Sequence, residues 1–239
     1  MSDKILIIKT GNTISGLLDE GEDFEDWFIR GTGIDPSRFI CSAVDRNEAL
    51  PSIESVAATI VTGSPAYLTD LAPWNEIAAE YLRELHSRQK PILGVCYGHQ
   101  LLAWAFGGEV GFHPRGREIG TVDISLSQHS DSDPLFTSTP REFRAQASHL
   151  QTVIRLPEEA ILLARNDFEP HHGFRLGNTT WGVQFHPEFG AHVMRSYIRE
   201  RKSDIAEEGL DAQDLLMDVE ETPIAAALLE RFVEIVDAQ

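Results

Sequence analysis

Short apolar runs and amphipathic segments alternate along the first hundred residues of the chain. Buried strands that end in a loop are predicted at residues 4–9, 39–44, 58–61 and 92–95. A helix is predicted to begin at Pro73, with an apolar face made of Trp74, Ile77, Ala78, Tyr81, Leu82 and Leu85. Strands that alternate with amphipathic helices are typical of a mostly parallel sheet covered on both sides.

Polar and apolar residues alternate at shorter intervals in residues 116–184. This pattern predicts several short strands, some antiparallel, that extend the sheet or form a small second one. A last helix is predicted to begin at Thr222-Pro223, with an apolar stripe of Ile224, Leu228, Phe232 and Ile235. The predicted fold class is therefore α/β: a mostly parallel central sheet flanked by helices, a small additional β-rich part and a helical C-terminus.

Composition narrows the range of partners. The 239 residues include 38 acidic and 20 basic ones, a formal net charge of −18, so phosphate backbones and anionic membranes are repelled on average. No apolar run approaches the ~18 residues that span a bilayer. We therefore expect a cytoplasmic protein without a nucleic-acid or membrane partner. One domain is the simplest expectation, because no Gly-, Pro- and Ser-rich stretch divides the chain.

The two cysteines occupy different sequence contexts. Cys41 and Cys96 have no metal-type spacing around them, so both are expected to be free thiols, and Cys41 is interpreted as a small buried hydrophobe in a strand. Cys96 lies between an apolar run and a helical pattern, with Gly94 and Gly98 at the spacing of a nucleophile elbow. A helix N-terminus favours the reactive thiolate, and the amide of Tyr97 is expected to face a developing oxyanion. A phosphate-binding glycine turn is a weaker alternative, because the P-loop lysine is missing.

A thiol nucleophile needs a proton acceptor, usually a histidine held by a third group. Among nine histidines, His186 follows a predicted strand at residues 180–185, and α/β active sites are built at strand ends. Glu188 is close enough in sequence to accept the Nδ1 proton and leave Nε2 facing the sulfur. The His171-His172 pair is interpreted as surface or core-satisfied.

Two sequence blocks resemble a known family. Gly94-Val-Cys-Tyr-Gly-His-Gln100 and Gly182-Val-Gln-Phe-His-Pro-Glu188 are similar to the motifs of class I (triad-type) glutamine amidotransferases, and further family blocks are Thr62-Gly-Ser-Pro65, Arg117-Glu-Ile-Gly120 and Ser148-His149. The likeness runs from about residue 4 to residue 198 and is greatest to the glutaminase part of GMP synthase and its free-standing relatives. It implies a flavodoxin-like glutaminase fold.

The resemblance also implies roles for individual residues. The catalytic triad would be Cys96, His186 and Glu188. The oxyanion hole would be formed by Gly63, Ser64 and Tyr97, and the bound glutamine would contact Gln100, Ser148 and His149. This chemistry needs no metal and no organic cofactor. Many relatives carry an acidic residue where this chain has Gln151.

The resemblance implies a single class I domain over residues 1–239, in which residues 199–239 form a helical C-terminal extension. The family's synthetases use ATP on another domain or on a separate polypeptide, for which this chain has neither the length nor a Gly-rich nucleotide loop. An ATP-using synthetase is therefore a possible partner that receives ammonia. Nine acidic residues lie in residues 199–221. The default interpretation of this stretch is a solvated helical face. The alternative is a cap near the active site or a docking surface for a partner.

Three functions are compatible with these residues. The first is hydrolysis of glutamine with ammonia passed to an acceptor. The second is hydrolysis of other γ-glutamyl compounds on the same scaffold, by a γ-glutamyl hydrolase or peptidase. The third is a catalytically idle regulatory module, against which the intact set of Cys96, His186 and Glu188 argues.

Overall fold

The computed structural model describes residues 3–239. Its strands are β1 (Ile5–Lys9), β2 (Phe39–Ala43), β3 (Ala58–Val61), β4 (Ile92–Val95), β5 (Glu109–Phe112), β6 (Glu118–Leu126), β7 (Glu142–His149), β8 (Gln151–Arg155), β9 (Ile161–Arg165), β10 (Gly173–Leu176) and β11 (Thr180–Val183). Its helices are α1 (Ser15–Asp19), α2 (Phe24–Thr32), α3 (Pro73–Ser87), α4 (Tyr97–Ala105), α5 (Ala191–Glu200), α6 (Lys202–Glu207), α7 (Ala212–Asp218) and α8 (Pro223–Asp237).

Nine of these strands form one sheet in the order β2-β1-β3-β4-β11-β10-β9-β6-β7. The strands from β2 to β11 run parallel, and the strands from β10 to β7 pair antiparallel. Strands β5 and β8 form a separate two-stranded sheet. The predicted α/β class is confirmed, and the β-rich part does both things that the sequence left open, since it extends the main sheet and forms a small second one.

The central strands are apolar along their whole length because both faces of the sheet are covered. In β1 the side chains of Ile5 and Ile7 enter one core, whereas Leu6 and Ile8 enter the core on the opposite face. All four are fully buried. The first core is covered mainly by α2, α5 and α8, and the second by α3 and α4.

Three predictions about individual apolar residues are wrong. Ile77 on α3 and Ile224 on α8 are 57% and 39% exposed, and the buried positions of these helices include Asn75 and Ala225 instead. Cys41 is exposed, because β2 is the edge strand of the parallel half and only its last residues are buried. The sequence shows which residues are apolar, but it does not show how much of the surface of a helix or strand is covered by the rest of the protein.

The acidic stretch 199–221 is helical, as predicted, and it packs on the antiparallel strands. Ile205, Ala212 and Val219 are buried in this stretch, and Arg144 on β7 pairs with both Asp218 and Glu220. The stretch is therefore attached to the body of the protein rather than solvated on all sides. None of the helices in the described part of the chain has the length and apolar character needed to cross a lipid bilayer.

Candidate active site

Cys96 lies in the sharp turn between β4 and α4, in a backbone conformation that is rare outside glycine. Its φ is 52° and its ψ is −100°, a conformation that costs energy and is concentrated at functional sites. The flanking glycines make the turn possible. A Cβ on Gly94 would lie 2.4 Å from the carbonyl oxygen of Gly98, and a Cβ on Gly98 would lie 2.5 Å from the carbonyl oxygen of Val61. Steric crowding therefore explains why glycine occupies both positions of the Gly-x-Cys-x-Gly sequence.

Tyr97, the first residue of α4, ties this helix to α3. The phenol of Tyr97 donates a hydrogen bond of 2.6 Å to Oδ1 of Asn75 on α3. Because Tyr97 begins α4, its backbone N–H belongs to the helix end that has no acceptor within the helix. The amide and the partial positive charge of the helix end therefore lie directly beside the sulfur.

His186 reaches the nucleophile through strand pairing. Val183 at the end of β11 is opposite Val95 at the end of β4, so residues that follow both strands emerge at the same edge of the sheet. Nδ1 of His186 lies 2.7 Å from Oε1 of Glu188, and the other face of this arrangement is closed by Phe189, whose ring stacks on the imidazole at 3.9 Å between centroids. All of these side chains are buried.

Electrostatics within this group favour a thiolate next to an imidazolium. Burial opposes charge on both groups, but the charge and hydrogen bond of His186 outweigh it and lower the pKa of the Cys96 thiol. In the same way, Glu188 and the Cys96 sulfur outweigh the burial of His186 and raise the pKa of its imidazole to about 10. The two shifts have opposite signs and reinforce each other.

The loop after β3 forms the opposite wall. A Cβ on Gly63 would lie 3.1 Å from Cε1 of His186, so a larger residue there would press on the imidazole. The hydroxyl of Ser64 donates to the carbonyl oxygen of Thr10 at 2.6 Å, which anchors the loop to the end of β1. Within residues 3–239, no carbonyl oxygen accepts a backbone hydrogen bond from the N–H of Gly63 or Ser64.

The structure brings the three expected glutamine contacts to the same cavity as Cys96: Gln100, Ser148 and His149. The carbonyl oxygen of Ser148 lies 3.8 Å from the Cys96 sulfur. The side-chain amide of Gln100 already donates to the carbonyl oxygen of Gln151 and to Oε1 of Gln184. The side-chain oxygen of Gln100 is therefore the atom that could accept a hydrogen bond from a ligand.

His149 is held by the carboxylate of Glu118, for which the sequence indicated no role. Oε2 of Glu118 lies 2.8 Å from Nε2 of His149 and 3.0 Å from Nε2 of His172, and its other oxygen accepts from Asn166. These three side chains offer a donor set of the kind that holds a metal ion, but Glu118 already forms direct hydrogen bonds with His149 and Asn166. Neither ring nitrogen of the buried His172 has a hydrogen-bond partner within residues 3–239. We interpret the cluster as a buried polar network centred on Glu118, with His172 packed beside it.

Gln151 fills the position at which relatives were expected to carry an acidic residue. Its side-chain oxygen accepts from the amide of Leu68 at 3.0 Å, and its nitrogen donates to Oγ1 of Thr69 at 2.6 Å. The neutral amide thus holds the turn after the Thr62–Pro65 loop by acting as donor and acceptor at once.

Two arginines also line this cavity. Arg201 belongs to the acidic stretch, and Arg117 is paired with that stretch. Arg117 is buried and donates two hydrogen bonds, of 2.8 and 2.9 Å, to the carboxylate of Glu208. Arg201, at the end of α5, also lines a second cavity that reaches Cys96 from the side of Thr13 and Tyr197. The acidic stretch therefore forms part of the active-site wall.

The sequence of the chain matches a known protein family. Residues 38–203, more than half of the chain, match the family described as glutamine amidotransferase class-I. A crystal structure of a glutamine amidotransferase from Thermotoga maritima matches with a TM-score of 0.79 and 23% identity over the whole of both chains. At this identity the structural match shows the fold alone.

Three curated relatives match about two thirds of the chain. A glutamine-hydrolyzing GMP synthase from Aeropyrum pernix is 34% identical over 63% of this chain, but the match spans only 28% of that protein. One of the subunits of a glutamine-hydrolyzing GMP synthase from Methanocaldococcus jannaschii is 32% identical over 64% of this chain and 78% of that polypeptide. A gamma-glutamyl-L-1-hydroxyisopropylamide hydrolase from a Pseudomonas species is 29% identical over 63% of this chain and 53% of that enzyme.

Proposed function

The chain belongs to the class I glutamine amidotransferase family, and we propose that it hydrolyses the side-chain amide of glutamine through a thioester on Cys96. The observation that carries the proposal is the buried arrangement in which His186 lines the same cavity as Cys96 and its Nδ1 lies 2.7 Å from Oε1 of Glu188. A nucleophile, a base and a group that orients the base are the parts that acyl transfer from an amide requires.

In the first half of the reaction, the Cys96 thiolate attacks the side-chain carbonyl carbon of glutamine. The carbonyl oxygen becomes negative, and in this proposal the amide of Tyr97 and the amides of the Gly63-Ser64 loop donate hydrogen bonds to it. The carbon–nitrogen bond then breaks. The imidazolium of His186 gives its proton to the leaving nitrogen, so ammonia departs and a γ-glutamyl thioester remains.

In the second half, water attacks the thioester carbonyl. Neutral His186 takes a proton from this water, the carbon–sulfur bond breaks, and glutamate leaves with the thiolate restored. Glu188 keeps the imidazole oriented throughout and stabilises its charged form. No step requires a group beyond those that the chain supplies and the water.

We further propose that the ammonia is passed on to an acceptor on another protein, for which an ATP-using synthetase is the leading candidate. Support comes from the relatives named as GMP synthases or as one of the subunits of such an enzyme. This chain matches only the part of the A. pernix protein that corresponds to about a quarter of its length, so the acceptor reaction lies outside the residues compared.

A second candidate function is supported by the relative that hydrolyses a γ-glutamyl amide. In this chain, that second reaction would use the same acyl half of the substrate and the same thioester on Cys96, and it would differ only in the amine that leaves. A catalytically idle regulatory module is not supported by the site, because Cys96, His186 and Glu188 are all present and buried.

Substrate and mechanism can be tested together. Glutamate release is measured from glutamine and from a γ-glutamyl alkylamide, and the protein is quenched in acid during turnover for mass spectrometry of its peptides. We expect faster turnover of glutamine and a γ-glutamyl adduct on the peptide that contains Cys96. Preference for the alkylamide would favour the second candidate. Absence of turnover and of adduct with both substrates, with and without a synthetase partner, would contradict the proposal.

A further inference from the structure

Arg201 is the one cationic side chain that lines both cavities next to Cys96 in the described part of the chain. The residue follows the last turn of α5, and its amide still donates to the carbonyl oxygen of Tyr197 at 3.1 Å. Its carbonyl oxygen accepts from Ile205 at 2.9 Å and so starts α6. The backbone on both sides is helical, which fixes where the side chain begins.

The guanidinium of Arg201 is held in place without being neutralised. It lies over the ring of Tyr197, with 5.6 Å from its central carbon to the ring centroid, and the Tyr197 hydroxyl is hydrogen-bonded to Oγ1 of Thr13 at 2.8 Å. Nε of Arg201 is buried and has no hydrogen-bond partner among residues 3–239. A buried donor of a charged group that lacks a partner is costly and calls for an explanation, and a bound water, ion or ligand is one that would satisfy it.

Arg117, in the same cavity, provides the contrast. Its guanidinium is matched to the carboxylate of Glu208 by two hydrogen bonds, as buried arginines generally are. The chain has 38 acidic residues, yet no carboxylate in the described chain forms an ion pair with Arg201. Asp204 in α6 and Glu208 directly after it pair with Arg117 instead. The cavity therefore presents one arginine that is already paired and one that is free for an anion.

The geometry points to the α-carboxylate of the substrate as that anion, an inference that rests on the proposed function. In glutamine the α-carboxylate carbon is four bonds from the side-chain carbonyl carbon, about 5 Å in an extended chain. Cys96 and Arg201 line the same two cavities, so a molecule with its amide at the Cys96 sulfur occupies a cavity that Arg201 also lines. We propose that Arg201 binds this carboxylate and restricts the enzyme to γ-glutamyl amides whose α-carboxylate is free.

This assignment gives the acidic stretch a role in specificity. The guanidinium fork fits a carboxylate in two parallel hydrogen bonds, which a lysine ammonium cannot reproduce. The oxyanion donors and the triad act on the amide end, whereas Arg201 acts on the opposite end of the same molecule. Arg201 is therefore a specificity-determining residue and should affect KM more than kcat.

The test compares glutamine with its α-carboxamide, which has the same side chain but no carboxylate. The wild-type protein, Arg201→Met, Arg201→Lys and the control Arg199→Met are assayed with both compounds, since Arg199 is exposed on the same helix end and lines neither cavity. Arg201→Met should raise KM for glutamine about 10-fold or more, leave kcat within about threefold, and abolish the preference over the α-carboxamide. Arg201→Lys should keep part of the preference, and Arg199→Met should behave as wild type.

Binding measurements separate this inference from the proposed function. Calorimetry on Cys96→Ala, with and without Arg201→Met, reports recognition of glutamine even if turnover is absent. Weaker binding of the α-carboxamide, with the difference lost when Arg201 is replaced, would support the inference. Equal use or equal binding of the two compounds by protein with Arg201 intact would overturn it, and that result needs no variant to fold. Turnover with unchanged discrimination in Arg201→Met would overturn it while the proposed function stood.

Discussion

Glu118 and His149 lie opposite each other in the antiparallel pair of β6 and β7, and their side chains form a buried contact of 2.8 Å beside the nucleophile. The other nitrogen of His149, Nδ1, lies 3.0 Å from the carbonyl oxygen of Gln151. Because a carboxylate and a carbonyl only accept, both ring nitrogens must carry protons, and His149 is an imidazolium. Both N–H groups are occupied, so we predict that His149 influences the site through its charge rather than as a hydrogen-bond donor to glutamine.

The first prediction concerns this charge. Glu118 outweighs the burial of His149 and raises its pKa, and the resulting positive charge in turn helps to lower the pKa of Cys96. Glu118→Gln keeps the shape but removes the carboxylate charge, so the thiolate should form at higher pH. The pH dependence of Cys96 alkylation by iodoacetamide should shift upward, and kcat/KM at neutral pH should fall about 10-fold or more. Glu142→Gln, on an exposed position of β7, is the control, and an unshifted profile for Glu118→Gln would contradict the assignment.

The second prediction concerns stability. Contacts with His149 and His172 outweigh the burial of Glu118 and hold its pKa well below the usual range. A depressed carboxyl pKa stabilises the fold above the unfolded value of 4.5 and loses this contribution as the pH falls. The difference in free energy of unfolding between wild type and Glu118→Gln should therefore be largest near neutral pH and shrink below pH 4.5. Urea titrations at several pH values measure it, and a constant difference would argue against the ion pair.

The third prediction separates the two partners of Cys96. His186→Ala should lower kcat by about 10³-fold, because His186 moves the proton in both halves of the reaction. Glu188→Ala should cost less, because Glu188 orients and charges the imidazole without exchanging protons with substrate. Steady-state kinetics with glutamine measures both. Equal losses, or a greater loss for Glu188→Ala, would require different roles.

The fourth prediction concerns the elbow. In Gly98→Ala the new Cβ would lie 2.5 Å from the carbonyl oxygen of Val61, so the turn must shift, at a cost of about 1–3 kcal/mol and with loss of activity. Gly16→Ala is the matched control, because nothing lies within 4 Å of a Cβ there and alanine favours the helix. Thermal unfolding should show destabilisation for the first variant alone. A stable, active Gly98→Ala protein would show that the turn is not sterically constrained.

Local motifs explain why much of the site could be predicted from the sequence. Gly94, Cys96 and Gly98 lie within one turn, and His186 and Glu188 are two residues apart, so their geometry depends mainly on nearby backbone. The parallel strands were also predictable, because both faces of the sheet are covered and the runs are apolar throughout. The catalytic roles of these residues and the single-domain division remain predictions.

The contacts that the sequence did not reveal depend on long-range packing. Glu118 reaches His149 only through the register of two antiparallel strands, and His172 joins them from a loop. Arg201 lies in a charged stretch whose pattern indicates a solvated face, and only the packing of α5 and α6 brings it to Cys96. The exposure of Cys41 could not be predicted for the same reason, because the residues of a strand do not show whether it lies at the edge of the sheet.

One sulfur, that of Cys96, carries the proposed reaction, and the two cysteines of the chain allow a direct measurement. Glutamate released from glutamine is followed over time for Cys96→Ala and for Cys41→Ala, whose parent thiol is exposed on the edge strand β2. We predict that Cys96→Ala releases no glutamate above background, while Cys41→Ala releases it at the wild-type rate. Release by Cys96→Ala at a rate near that of the wild type would contradict the account.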